Sequence, residues 1–102
     1  RRLVDLVAVK LDVLPEIATS DPAPDAALRN AEILEALRLV LNDLPPRDKL
    51  LLSYRFDDDL SAMQITRTMK FRSVFHVYRR LNAILGTCRA ALQRAGFEPG
   101  DA

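Results

Sequence analysis

The sequence predicts an all-α fold, a small helical bundle without a sheet, and three observations carry that expectation. Leu and Ala dominate a chain in which 49% of residues are hydrophobic and only three of 102 are Gly, a composition that favours helices over tight-turned sheets. Apolar residues recur at spacings of three and four over residues 27–44 and 74–92, the period of a helix with one buried face. Clusters rich in Pro or Asp interrupt the chain at 15–25, 45–46 and 57–59, dividing it into separate helices. A chain of this length holds one core rather than two.

The first segment, Leu3 to Leu14, has Leu, Val or Ala at nine of twelve positions. The alternation of Val7, Val9, Leu11 and Val13 would suit a strand, but no second strand is visible to pair with it, so a helix is predicted. Its apolar surface needs cover from the domain, from a second copy or from another part of a longer protein. Residues 15–24 read as a connector, because Pro22 and Pro24 deny helix to their predecessors. Asp25 then offers an N-cap for a second helix, with Ala27, Leu28, Ala31, Ile33, Leu34, Leu37, Val40, Leu41 and Leu44 on its apolar side. Pro45 stops that helix. Pro46 suits the first turn of the next, Arg47 to Phe56, with Leu50, Leu51, Leu52 and Tyr54 as packing residues.

Asp57, Asp58 and Asp59 have turn chemistry, and Leu60 and Ser61 form a staple and N-cap for a short helix, Ala62 to Met69. Lys70, Phe71 and Arg72 make a turn without glycine. Ser73 caps a final helix whose apolar stripe runs through Val74, Val77, Leu81, Ile84, Leu85, Cys88 and Leu92, and Gly96 closes it. The predicted organisation is therefore an N-terminal helix and linker over 1–24, a helix-turn-helix domain over 25–96, and a loose tail over 97–102.

Charge is unevenly placed although the net is only +1. Residues 60–96 hold seven basic side chains, Arg67, Lys70, Arg72, Arg79, Arg80, Arg89 and Arg94, and no acid. That pattern fits a polyanion-binding face, or a solvated basic face with no partner. In a helix-turn-helix the first helix braces on phosphates while the start of the second enters the major groove. If Val77, Leu81 and Ile84 are buried, then Arg72, Ser73, Phe75, His76, Arg79 and Arg80 fall on or near the outward half. Either Arg79 or Arg80 could fork onto guanine or neutralise phosphates, whereas Ser61, Arg67 and Lys70 suit phosphates. Packing alternatives stand beside these: Phe71 and Phe75 as plugs for the turn, Tyr78 turned back onto the preceding helices, His76 as a plain surface residue.

Other function classes find no support. Cys88 is the single cysteine, so no internal disulfide or Cys and His metal cluster is expected, and a reducing, cytoplasmic setting fits. The Asp57 to Asp59 run lacks the spaced ligands of a calcium loop. No Ser, His and acid set, glycine-rich phosphate loop or carboxylate pair points to an enzyme, and no cofactor is implied. No run approaches the roughly 20 apolar residues of a membrane span. Because the chain opens on Arg1 and Arg2 rather than Met, a piece of a longer protein is expected.

The order of motifs resembles region 4 of bacterial sigma factors, the extracytoplasmic-function type above all. The resemblance lies in Leu44, Pro45, Pro46, Arg47, Asp48, Lys49, Leu50, Leu51 and Leu52, then Arg55 and Phe56, then Leu60, Ser61, Ala62, Met63, Gln64 and Ile65. Val77, Arg80 and Leu81 follow in the order found in the family's recognition helix. It covers residues 21–96, and the connector with the helix after Asp25 is similar to the family's linker. Lys70 stands where the family has glycine, Thr66 where it has alanine, and the turn holds one more residue before Val77. The resemblance implies binding of the upstream (minus 35) promoter element, docking on the beta flap of RNA polymerase, control by an anti-sigma partner, and no catalysis by this domain itself. Two other roles suit the same residues: a helix-turn-helix regulator dimerising through residues 3–14, and a protein-interaction module for polymerase or an inhibitory partner.

Overall fold

Five α-helices and no strand make up the described residues, 2–11 and 24–97 of the computed structural model. They are α1 (Arg2–Lys10), α2 (Pro24–Asn42), α3 (Pro46–Leu52), α4 (Ala62–Met69) and α5 (Val74–Arg94), and a π-helical turn, Ser53–Asp57, extends α3. The all-α expectation holds. The end of the predicted first segment at 12–14, the connector at 15–23 and tail residues 98–102 lie outside the described residues.

The long α5 organises the core. Val77, Leu81, Ile84, Leu85, Cys88 and Leu92 are buried along one stripe, as their spacing of threes and fours requires. Leu37, Leu41 and Leu44 from α2 and its end, Leu51 and Leu52 from α3, and Ala62, Ile65 and Met69 from α4 join them in one cluster. Val4, Val7, Ala8 and Leu11 belong to the same cluster, because α1 lies against α2 and the π-helical turn. The apolar stripe of α1 is thus covered from within the chain, and a second copy is not needed to hide it.

Several boundaries and orientations differ from expectation. Helix α2 begins at Pro24, so Asp25 sits inside the helix rather than at its cap; proline is well suited to a first turn, where no N–H is needed. Leu28 is 62% exposed and Leu50 44% exposed. On α3 the inward face is Asp48, Leu51 and Leu52, which are three and four apart, and Leu50 is rotated away from it. Past Leu52 the chain widens: the Asp58 N–H donates to the Ser53 carbonyl at 3.0 Å, and the Leu60 N–H to the Tyr54 carbonyl at 2.9 Å. Tyr54 and Phe56 pack half-buried against the core there.

The ends of α4 and α5 are closed by local chemistry. Ser61 accepts from the Gln64 N–H at 3.1 Å while the Gln64 side chain accepts from the Ser61 N–H at 2.8 Å, so two of the four unpartnered donors of α4 are satisfied reciprocally. At the other end Lys70 adopts the left-handed conformation, φ 61° and ψ 43°, and the Phe71 N–H donates to the Thr66 carbonyl at 3.0 Å. Helix α5 is closed beyond its Ala95 C-cap by Gly96, φ 96°, with N–H bonds from Gly96 to the Gln93 carbonyl at 3.0 Å and from Phe97 to the Leu92 carbonyl at 2.9 Å. That is a Schellman closure. Phe97, expected in a loose tail, instead packs against the core, with the Arg29 guanidinium 5.4 Å from its ring centroid.

Two expectations follow. A lysine in the left-handed region carries a steric penalty that glycine avoids. Lys70→Gly should therefore raise the urea-unfolding free energy by about 0.5–1 kcal/mol, while Arg67→Gly, inside α4, should lower it by about 1 kcal/mol. Burial pushes the Cys88 thiol up to about 11. Its folded-state value lies above its unfolded one, so its contribution to stability is complete at neutral pH and declines as pH climbs through that value. Iodoacetamide at pH 8 should leave the native chain unlabelled and modify Cys88 once urea unfolds it.

Candidate functional site

Two short connections bring basic side chains from two helices and a turn together. The Pro45–Pro46 corner starts α3 with Arg47 and Asp48 in its first turn, and the Lys70–Ser73 turn starts α5 beside them. From α3, the Arg47 Nη2 donates to the Met69 carbonyl at 3.0 Å, one of the carbonyls left open at the end of α4,. Its guanidinium also lies 5.0 Å from the centroid of the Phe71 ring, a cation–π contact that holds the turn.

Asp48 is 5% exposed. Arg80 of α5 grips it with two parallel bonds, Nε to Oδ1 at 2.9 Å and Nη2 to Oδ2 at 2.5 Å. Hydrogen bonds donated to the Asp48 carboxylate raise the Arg80 guanidinium above its ordinary value. The Arg80 side chain remains half exposed, with its Nε and Nη2 edge taken. One of the two forks by which it was expected to reach a base or phosphate is therefore occupied within the fold.

Around this clamp lies an open cleft of about 490 Å³, lined by Arg47, Lys70, Phe71, Arg72, His76, Arg79, Arg80 and Ala83. Five of these are cations and none is an acid. The cleft gathers Lys70, Arg72, His76, Arg79 and Arg80 from the sequence-derived set, whereas Ser61, Arg67, Ser73 and Phe75 do not line it. The Ser61 hydroxyl serves the α4 capping box. Arg67 is exposed in the last turn of α4, near the negative end of the helix dipole,. Ser73 occupies the N-cap position of α5, but its hydroxyl meets His76 Nδ1 at 2.8 Å instead of a backbone N–H.

The packing alternatives divide. Phe71 is half-buried against the core. Phe75, by contrast, is 66% exposed and Tyr78 48% exposed; neither plugs the turn nor turns back, because Val77 and Leu81 already define the inward stripe. Arg47 was missed as a site residue. Its signal was faint: a cation in the first turn of a helix opposes the dipole, which implies a tertiary partner, but the sequence does not reveal that Met69 and Phe71 supply it. Among the described residues no group of three or more His, Cys, Asp or Glu could hold a metal ion, and no helix is long and apolar enough to cross a membrane.

The arrangement can hold an anion. Cations from two helices and a turn face one open volume, and the aromatic ring of Phe71 sits among them. Comparison of the chain with protein-family models, with curated proteins and with solved structures finds no match.

Arg79 and Arg80 adjoin in sequence yet differ in consequence. Arg80→Ala leaves a buried carboxylate without its partner and should lower stability by about 1–3 kcal/mol, toward the lower end because the arginine is half exposed. Arg79→Ala should stay within about 0.5 kcal/mol of the parent. Paired urea melts would show equal losses if Asp48 had no need of Arg80.

Proposed function

We propose that the chain is a DNA-binding domain of the sigma-factor region 4 type, which takes the upstream promoter element against α4, its turn and the start of α5, and docks on the beta flap of RNA polymerase. The observation that carries this proposal is the cleft at the Lys70–Ser73 turn, lined by five cations, of which only Arg80 is paired with a carboxylate. A duplex presents a regular line of phosphates, and basic side chains that neutralise them release counterions. Arg47 and Lys70 stand on the α3 and α4 sides of the cleft, while Arg72, His76 and Arg79 stand at the entry to α5. That division suits a duplex whose backbone rests on α4 and whose major groove receives α5.

The motif residues that carry the family resemblance support the same role. Leu44, Pro45, Pro46, Arg47 and Asp48 form the corner that fixes α5 relative to α4, through Met69 and Arg80. The duty of the motif in this fold is to aim the helix. The catalytic work of transcription belongs to polymerase under this proposal, and no cofactor is needed. Control of the domain by an anti-sigma partner belongs to the same proposal.

The test is the affinity of the 102-residue chain for duplex promoter fragments across a salt series. Binding should weaken steeply as salt rises; Arg72→Ala should weaken it and reduce the log–log salt slope by about 0.9, and Arg79→Ala should weaken it as well. Binding that is absent, or indifferent to both salt and these substitutions, would sink the proposal.

A further inference from the structure

Phe75 is the most exposed of the large apolar side chains among the described residues. It stands in the first turn of α5, where nothing in the core covers it. Its surroundings are nevertheless ordered. The His76 ring meets it edge-to-face with centroids 5.9 Å apart, and the Arg79 guanidinium, one helical turn later, lies 5.8 Å from its centroid. His76 is in turn held by the Ser73 hydroxyl at 2.8 Å. An apolar ring and a guanidinium are thus presented in a fixed relation at the lip of the basic cleft.

We infer that Phe75 is a specificity-determining residue, its ring packing on the 5-methyl group of a thymine while Arg79 forks onto a guanine within two base pairs of it. This rests on the DNA-binding role proposed above. The thymine methyl is the apolar group that an unmodified major groove offers, and guanine O6 and N7 are the acceptors that match a guanidinium fork. Base pairs are spaced about 3.4 Å apart, so a ring and a guanidinium 5.8 Å apart span between one and two steps. A phosphate would engage Arg79 alone and leave the ring in water. Arg80, whose Nε and Nη2 edge is taken by Asp48, is less suited than Arg79 to the guanine.

The experiment selects duplexes from a pool with a randomised central region, using the 102-residue chain and Phe75→Ala in parallel. The parent should fix a thymine one or two base pairs from a guanine. Replacing that thymine by uracil removes only the methyl and should weaken binding about three- to fivefold. Phe75→Ala should keep the guanine preference and bind the thymine and uracil duplexes equally. Because the uracil exchange leaves the protein untouched, the result does not depend on how the variant folds. A selected site with no fixed thymine, equal binding of the two duplexes by the parent, or a methyl preference that persists in Phe75→Ala overturns the inference while DNA binding stands. A pool that gains no sequence on selection, with no salt-dependent binding, overturns both.

Discussion

The Asp48 carboxylate lies inside the fold, and a guanidinium thirty-two residues further along the chain accounts for its tolerance there. A buried carboxylate without partners is strongly unfavourable, so the position of α3 relative to α5 is tied to this one contact. The bidentate geometry adds direction: two parallel bonds fix the rotation of Arg80 as well as its distance,. Next to Asp48, Arg47 ties α3 to the end of α4 through the Met69 carbonyl. Two consecutive residues after a double proline therefore set the placement of both helices that flank the cleft. The rest of the core, with Ile65 and Met69 on one side and Val77 and Leu81 on the other, fills the space those contacts define.

The turn between α4 and α5 has to satisfy the clamp without glycine. Lys70 takes the left-handed conformation that glycine adopts freely,, and the strain is offset locally by the Phe71 N–H bond to Thr66 and by the Arg47 guanidinium over the Phe71 ring. A lysine at this point also places a cation on the cleft rim. Backbone strain and charge coincide at one residue, so the position that is least comfortable for folding is one that contributes to the positive field. Backbone positions of this kind persist where the surrounding contacts over-determine them.

Most of the fold was legible because helix periodicity is a local signal. The Val77, Leu81, Ile84 and Leu92 stripe, the Ser61 cap, the Gly96 closure and the bounds of α4 all follow from residues within a few positions of one another. What could not be read were long-range pairings and rotations. Leu50 resembles a core residue by composition, but the helix turns Asp48 inward in its place, and only the distant Arg80 makes that acceptable. Phe75 and Tyr78 resemble packing residues until the stripe fixed by Val77 and Leu81 turns them outward. The basic cluster was visible as a run of one sign from residue 60 onward. Which cations share a cleft was not, since Arg47 comes from outside that run while Arg67, inside it, stands apart from the cleft.

Arg47 and Arg80 line the cleft and also hold the fold, which restricts how the cleft can meet a polyanion. A phosphate that drew Arg80 away from Asp48 would leave the buried carboxylate uncompensated, so the gain at the phosphate would be offset by the loss in the interior. The same holds for Arg47, whose departure would expose an unsatisfied carbonyl at the end of α4. In the proposed DNA binding the phosphates then fall to Lys70 and Arg72 and the base edge to Arg79, all three of which line the cleft outside the Asp48 and Met69 clamp. Arg47 contributes a fixed positive charge instead, pre-oriented by the Met69 carbonyl and therefore requiring little ordering when an anion arrives, whereas the charge of Arg80 is largely balanced by Asp48,. The clamp that aims α5 is thus also what separates the cations free to engage a partner from those that hold the fold.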